Sequence, residues 1–310
     1  MTDDIKIKPC FTVVIPTYNR KEILYKALDS VLNQSFTDFE VIIVDNGSTD
    51  STEEWICTNY EDQRIRYIYQ KASGTPASPR NNGIINAIGK WVCFLDSDDL
   101  WNFNKLEIVN KMIKRYKDTD VFCHNEALVI MGQESDKILK YGPYTNNFYK
   151  ELLIEGNKLS PSATCVRRSF LINNQLLFNE SSKYVIVEDY DLWLRLANKK
   201  AKFNFINVCL GKYIIDDNNL SSNTAILKDN TMFMLREHVY HVQNFDKNKD
   251  RLWKKVTFRL EMQDIKSDFK RGNYSMALIQ SLLHFISSPF EMLYFTKKLI
   301  KKNFTYLLKQ

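Results

Sequence analysis

The strongest constraint on how this chain can fold lies in its first hundred residues, where four short apolar runs alternate with polar turns and helical stretches. Phe11 to Ile15, Glu40 to Val44, Ile65 to Tyr69 and Trp91 to Leu95 are nearly continuously apolar, the pattern of strands covered on both faces. Between the first two, Ile23, Leu24, Ala27, Leu28, Val31 and Leu32 form one stripe at helical period. A second helix is expected to begin at Asp50, with Glu53 at the spacing of a capping box, and a third to run from about Ser78 to Ile88. Such alternation requires right-handed crossovers and predicts an α/β fold with a mainly parallel sheet flanked by helices.

That topology also says where chemistry belongs, because ligands of open α/β sheets bind beyond the carboxyl ends of the strands. After the first strand come Pro16, Thr17, Tyr18, Asn19 and Arg20; after the second, Asp45 to Asp50; after the fourth, Asp96, Ser97, Asp98 and Asp99. Clustered carboxylates at a buried sheet end repel one another unless a cation or a hydrogen-bond donor offsets them. An oxygen-only set suits a hard divalent ion, Mg or Mn, shared with substrate phosphates, whereas the plain alternative is a solvated Asp-rich turn. Neither G-x-G-x-x-G nor G-x-x-x-x-G-K-[ST] occurs, which argues against a dinucleotide oxidoreductase and a P-loop kinase. Phosphates would then be held by metal and by Arg20 or Arg80. A second acidic cluster, Glu188-Asp189-Tyr190-Asp191, opens an apolar helix, where acids also serve the helix dipole, so the cluster alone does not define a catalytic group. His124, His238, His241 and His284 form no nucleophile or ligand arrangement, and no G-x-S-x-G elbow is present.

The middle of the chain predicts a helix over Asn104 to Tyr116, a strand over Val121 to Ile130 and a helix over Asp189 to Asn198, with no Gly- or Ser-rich linker. Residues 1–230 are therefore expected to form one domain, and 231–310 a helical C-terminal region. Charge divides the same way: residues 231–310 hold fifteen Lys and Arg against seven Asp and Glu, and the first 230 hold 28 against 30. From Ser281 to Gln310, Phe285, Phe290, Tyr294 and Phe295 are interleaved with Lys297, Lys298, Lys301, Lys302 and Lys309, a composition suited to an anionic membrane surface. A helix packed on the catalytic domain with a solvated Lys face fits the same residues. No nucleic-acid-binding module is recognisable. The six Cys stand singly, which predicts reduced thiols and no structural zinc site, and the polar start MTDDIKIKPC lacks a secretory leader pattern. The most apolar window, Met276 to Phe295, is broken by Gln280, His284, Ser287, Ser288, Pro289 and Glu291 and predicts no membrane span. A cytoplasmic protein, peripheral on the inner face of the cell membrane, is the expectation.

Six segments match one family in order and spacing: TVVIPTYNR (12–20), EVIIVDNGSTDST (40–52), SPRNNGI (78–84), GKWVCFLDSDDLW (89–101), SPSATCVRR (160–168) and VEDYDLWLRL (187–196). Over about residues 10–222 the chain resembles the family 2 inverting glycosyltransferases of GT-A fold, of the kind that builds bacterial surface polysaccharide. The resemblance implies a nucleotide-sugar donor and a saccharide acceptor, commonly carried on polyprenyl diphosphate. Thr17 and Tyr18, with the adjoining Pro16 and Asn19, would line the nucleotide pocket and Asp45 would bond the base edge. Arg80 would approach the base or diphosphate, Asp96 would bond the ribose with Ser97 beside it in the nucleotide-sugar site, and Asp98 would ligate a divalent metal bridging the diphosphate. Asp189 would be the base that deprotonates the acceptor hydroxyl, with Glu188 and Asp191 as competitors, while Trp193 and Arg195 pack and orient the helix.

The Gln-x-x-Arg-Trp motif of processive members is absent, which predicts one sugar per encounter. Many relatives carry a Tyr-Arg-x-His segment where this chain reads YIIDDNNLSS (213–222), which leaves two alternatives: Asp216 as an oxygen ligand to the metal, or a loop that only closes over the nucleotide. Two other readings remain at this stage: a sugar-phosphate nucleotidyltransferase, which should carry a Gly-rich basic loop that PTYNRKE lacks, and a non-catalytic carbohydrate-binding module on the same fold.

Overall fold

The computed structural model describes residues 8–130, 132–215, 224–287, 289 and 292–293. Asp216 lies outside the described residues, as do the five Lys from Lys297 to Lys309. The chain divides into two compact units: one runs through Leu152 and from Gly156 to Met234, the other comprises Leu153–Glu155 and the chain from Leu235 on.

The first unit opens with β1 (Phe11–Thr17), α1 (Lys21–Leu32), β2 (Phe39–Asp45), α2 (Thr52–Asn59), β3 (Ile65–Tyr69), α3 (Ala77–Asn86) and β4 (Trp91–Phe94). These strands pair in parallel in the order β3-β2-β1-β4, as βαβ crossovers require. Then follow β5 (Leu100–Trp101), α4 (Lys105–Arg115), β6 (Val121–Ile130), β7 (Gln133–Leu139), α5 (Phe148–Glu155), β8 (Thr164–Arg167), α6 (Arg168–Asn173), α7 (Glu188–Asn198) and β9 (Phe203–Ile215). They extend the sheet through β4-β8-β6-β9-β5, with β7 on β6, and only β6 with β9 adds a parallel pairing.

Of these later strands the sequence pattern predicts only β6. β7, QESDKIL, is polar, and β9 mixes Asn, Gly and Lys with its apolar residues. Its register against β6 shifts between His124 and Glu126, so no simple alternation survives.

One side of the sheet packs Phe11, Val13, Ile15, Val41, Ile43, Trp91 and Cys93 against Leu24, Ala27, Leu28 and Val31 of α1 and Leu106 and Val109 of α4. All are essentially buried, and each large aliphatic contributes about 1.5–3 kcal/mol relative to exposure. Elsewhere Phe94 of β4 meets Phe178 edge-on at 5.2 Å between ring centroids, and Phe178 meets Trp193 of α7 at 6.3 Å. A Cβ on Gly83 would lie 2.3 Å from Val14 Cγ1, so α3 rests directly on β1 and carries Arg80 to the sheet's carboxyl edge.

One local expectation is corrected. The cap of α2 is Ser51, in the left-handed region at φ 60°, not Asp50. Asp50 instead accepts the Lys21 N–H at 3.0 Å and the Thr52 hydroxyl at 2.5 Å, tying the turn after β2 to the start of α1.

Past β9 come α8 (Thr224–Glu237), which runs from the first unit into the second, and then α9 (Lys249–Lys270) and α10 (Tyr274–Ser287) of the second unit. α9 and α10 pack through Phe258, Met262, Ile265 and Ala277.

Candidate active site

The loops after β1, β2 and β4 converge because their strands are adjacent and parallel. Asn46 donates its N–H to the Thr17 carbonyl at 2.9 Å, Asn19 N–H bonds Ser48 Oγ at 2.8 Å, and Asn19 Oδ1 accepts the Thr49 N–H at 2.8 Å. Asn19 adopts φ 50°, a conformation its short amide tolerates, and Gly47 takes φ 88° in the facing turn. Beyond these loops opens a cleft of about 800 Å³. It brings together Pro16, Thr17, Tyr18, Asn19, Arg20, Arg80, Asp96, Ser97, Asp98, Glu188 and Asp189, residues from four separate sequence segments. Tyr18 stands 53% exposed at the cleft, and Thr17 Oγ1 is buried there without a hydrogen-bond partner among the described residues.

Two expected residues do not join them. Asp45 is buried below the cleft, where its carboxylate accepts the Ser48 N–H at 2.8 Å and the Tyr67 hydroxyl. One oxygen thus closes the turn and the other ties β2 to β3, and Asp45 is not among the residues lining the cleft, whereas the adjoining Asn46 is. Asp191 is 2% exposed, is not among the lining residues, and accepts Arg195 Nε at 2.7 Å one helical turn on. That pairing, with Trp193 fully buried, makes Asp191 part of the packing of α7 rather than a base open to substrate.

The cleft is organised around Arg80. Its Nη2 donates to Asp96 Oδ1 at 2.6 Å and its Nη1 to Glu188 Oε1 at 2.8 Å, so one guanidinium joins the loop after β4 to the first turn of α7. Burial alone would lower the Arg80 pKa, but the Asp96 and Glu188 charges outweigh it and keep the group protonated. Burial pushes the Glu188 carboxyl up against the pull of Arg80, and its Oε2 has no partner among the described residues. Asp189 keeps part of its surface open to the cleft while protein encloses the rest. Desolvation first, then the Glu188 charge, push its carboxyl up to about 7. Asn157 Nδ2 donates to its Oδ2 at 3.2 Å and the Tyr190 N–H to its Oδ1 at 2.6 Å. The segment leading into this turn contains Ile186 at φ 73°, a conformation costing a β-branched residue about 1–3 kcal/mol, so the entry to α7 is held in place by its surroundings.

The three clustered Asp go to three different partners. Asp96 pairs with Arg80, and Asp98 accepts Arg20 Nη1 at 2.8 Å. Asp99 turns inward, where its Oδ1 accepts the Ile214 N–H at 2.9 Å and its Oδ2 the Ser162 hydroxyl at 2.6 Å. Burial, then the Glu126, Asp98 and Asp96 charges, raise Asp99 well above the usual carboxylate range. Beneath it Glu126 is fully buried, accepts the Tyr141 hydroxyl at 2.8 Å and is pushed up to about 7, chiefly by burial. The fully buried Lys105 ammonium donates to the Ser162 carbonyl at 2.7 Å and lies 3.3 Å from the centroid of the Trp101 ring. Burial lowers its pKa to about 8.

Acids outnumber bases here: Asp96, Asp98, Asp99, Glu126, Glu188 and Asp189 face Arg20, Arg80 and Lys105. Asp99, Glu126 and Asp189 are raised first by burial and only then by neighbouring like charges, and an all-oxygen donor set matches a hard divalent cation. Among the described residues no three His, Cys, Asp or Glu gather into a self-sufficient ion cage. An ion held here would take one or two of these carboxylates and complete its shell with oxygens of a bound diphosphate.

Sequence reasoning missed Ser162, Glu126, Lys105, Asn157 and Tyr141. A carboxylate inside the largely apolar β6, beside His124 and Asn125, was a usable signal for Glu126, whereas a Lys at the first position of α4 gives no hint of burial. Ser162 is the hub: besides bonding Asp99, its Oγ accepts the Asp96 N–H at 3.1 Å. Ser162→Ala is expected to leave Asp99 short of a donor and to cost about 1–3 kcal/mol of stability in urea unfolding, with Thr restoring part of it. An unchanged midpoint would show that the hub is dispensable.

The α/β fold, with its parallel β3-β2-β1-β4 half-sheet and an acidic cleft at the carboxyl edge, is the GT-A fold that its structural neighbours share. The chain belongs to glycosyl transferase family 2, whose model matches residues 12–177. It is 35% identical over 193 residues to an uncharacterized glycosyltransferase of Rickettsia felis, an alignment covering 61% of this chain but only 30% of that protein. It is 29% identical to the putative teichuronic acid biosynthesis glycosyltransferase TuaG of Bacillus subtilis, over 74% of this chain and 88% of TuaG. It is 27% identical to WfgD of Escherichia coli, a UDP-Glc:alpha-D-GlcNAc-diphosphoundecaprenol beta-1,3-glucosyltransferase, over 68% and 79% of the two chains. Among solved structures, S. aureus TarS 1-349 in complex with UDP-GlcNAc superposes with a TM-score of 0.63 at 21% identity, covering 80% of this chain and 72% of that one. The mannosyltransferase PcManGT of Pyrobaculum calidifontis, in complex with GDP-Man and Mn2+, gives 0.59 at 15% identity over 95% and 81%. At those identities the likeness is one of fold.

Proposed function

We propose that this protein transfers a single sugar, with inversion at the anomeric carbon, from a UDP-sugar to a saccharide acceptor carried on polyprenyl diphosphate. The reaction would serve surface polysaccharide or O-antigen assembly at the inner face of the cell membrane, with the basic C-terminal region meeting the lipid. The observation that carries the reading is the Arg80 bridge, because it couples Asp96, the carboxylate assigned to the ribose, to the turn that holds Asp189. Support for the donor and acceptor classes comes from the activity for which WfgD is named, and the missing Gln-x-x-Arg-Trp motif supports single transfer.

In this scheme Thr17 and Tyr18 bind the nucleotide and Asp96 with Ser97 orients its ribose. Asp98 would hold the divalent cation, Mn or Mg, which when bound supplies positive charge to the departing diphosphate. Arg20 and Arg80 stabilise negative charge on the same side of the cleft. On the other side Asp189 accepts the acceptor hydroxyl proton as that oxygen bonds to the anomeric carbon. The bond from that carbon to the diphosphate oxygen breaks, and its electron pair leaves with UDP. A carboxyl near 7 suits this task, since a base matched to the working pH accepts the proton most effectively. Glu188 is the positioning neighbour, held by Arg80.

The test is to incubate the protein with a panel of α-linked UDP-sugars and a polyprenyl-diphosphate-linked saccharide and to determine the anomeric configuration of the product. Transfer giving a β-linked product is expected. An α-linked product, or a nucleotidyl transfer releasing pyrophosphate, contradicts the reading.

A further inference from the structure

Helix α10 is turned inside out relative to its composition. The residues it directs toward α9 are small or polar: Ala277 is buried, Ser281 and His284 are half-buried, and His284 packs edge-on against Phe258 and lies 3.5 Å from Glu261. Its large apolar residues face outward instead. Leu278, Ile279, Leu282, Leu283, Phe285 and Ile286 are all more than half exposed, from 54% at Leu278 to 77% at Ile286. In a water-soluble helix that arrangement is reversed, and a contiguous apolar face of this kind marks a surface that another phase or partner covers.

Charge decides which. The helix carries no Asp, Glu, Lys or Arg between Tyr274 and Ser287; Lys266, Lys270 and Arg271 against Asp264 and Asp268 precede it, and Lys297, Lys298, Lys301 and Lys302 against Glu291 follow it in sequence, so the basic excess is largest on the C-terminal side. Basic flanks around an uncharged apolar helix complement anionic lipid headgroups. They oppose a second copy of this chain, because pairing two such regions would juxtapose like charges. Among the described residues no helix is long and apolar enough to cross a membrane.

We infer that α10 is a membrane-docking helix, lying in the interface of an anionic bilayer with its Leu278, Leu282 and Ile286 side seated among the acyl chains. The inference rests on the proposed lipid-linked acceptor only for its biological purpose; the surface itself is argued from exposure and charge.

The experiment is sedimentation of the full chain with phosphatidylcholine vesicles, with and without phosphatidylglycerol, for the wild type and for Leu282→Glu combined with Ile286→Glu. Both positions are solvent-facing, so the fold is expected to survive, and UDP binding by the same preparation checks that it does. A milder Leu282→Ser, Ile286→Ser pair serves if the Glu variant fails to fold. The wild type is expected to bind phosphatidylglycerol vesicles at least about tenfold more tightly than phosphatidylcholine alone, a gain lost in moderate salt. The double variant should lose at least about tenfold in vesicle affinity with UDP affinity unchanged. Wild type that ignores anionic vesicles, or a double variant that binds them equally well, overturns the inference. So does a wild-type dimer dissolved by the same substitutions, which would give the face to a second copy. Failure of UDP binding with vesicle binding intact would instead count against the glycosyltransferase reading alone.

Discussion

Asp189→Asn is expected to lower kcat by about 10²–10⁴-fold while leaving UDP affinity within roughly twofold of wild type, because the amide keeps the shape of the carboxylate but cannot accept the acceptor proton. The measurement is steady-state transfer alongside calorimetric titration with UDP. Turnover that survives the substitution would move the base elsewhere. The wild-type pH profile carries the same assignment. The base works only when ionised, so with a carboxyl raised to about 7, kcat should fall as pH drops below about 7, and that limb should vanish in the variant. Stability runs the opposite way. A carboxyl whose folded-state pKa lies above its unfolded value favours the fold at low pH and loses that contribution as pH rises through about 7. Asp189→Asn should therefore be the more stable protein above neutral pH, the usual signature of a strained catalytic group.

The second large effect is expected at Arg80. Removing the guanidinium leaves Asp96 and Glu188 facing each other without their shared cation, one of them nearly fully buried. Breaking a buried pair of this kind costs about 3–5 kcal/mol, so Arg80→Ala should shift the urea midpoint sharply downward and abolish detectable UDP binding. Arg80→Lys should recover part of the stability but less of the binding, since an ammonium cannot reproduce the planar fork that serves both carboxylates at once. An Arg80→Ala protein as stable as wild type would mean that the bridge does not hold the two sides of the cleft together.

The parallel core and the chemical edge of the sheet were legible because both are written in local patterns: β-branched runs for β1 to β4, and acids and hydroxyls immediately after them. Residues joined through space were not. Arg80, near the start of α3, could be named as a phosphate candidate from its residue type, whereas its pairing with Glu188 spans 108 positions. Asp45 and Asp191 have the residue type and sequence neighbourhood expected of site residues, yet each is consumed by a nearer partner, Tyr67 with Ser48 in one case and Arg195 in the other. Tertiary hydrogen bonds decide which of several adjacent carboxylates faces substrate, and no period in the sequence encodes that choice. β7 and β9 were missed for a related reason, since their polar residues are tolerated by an edge position and by an irregular register respectively. α10 is the converse case: its apolar content was plain, but only coordinates show which side of it is turned outward.

The account stands most directly on calorimetric titration of the purified protein with UDP, first with Mn and then with EDTA, for wild type and Asp98→Ala. It predicts binding by wild type that requires the metal and is lost in Asp98→Ala. UDP binding that persists in EDTA, or that is unchanged by Asp98→Ala, would contradict the assignment of Asp98 to the metal. Absence of UDP binding under every condition would contradict the proposed donor half of the reaction.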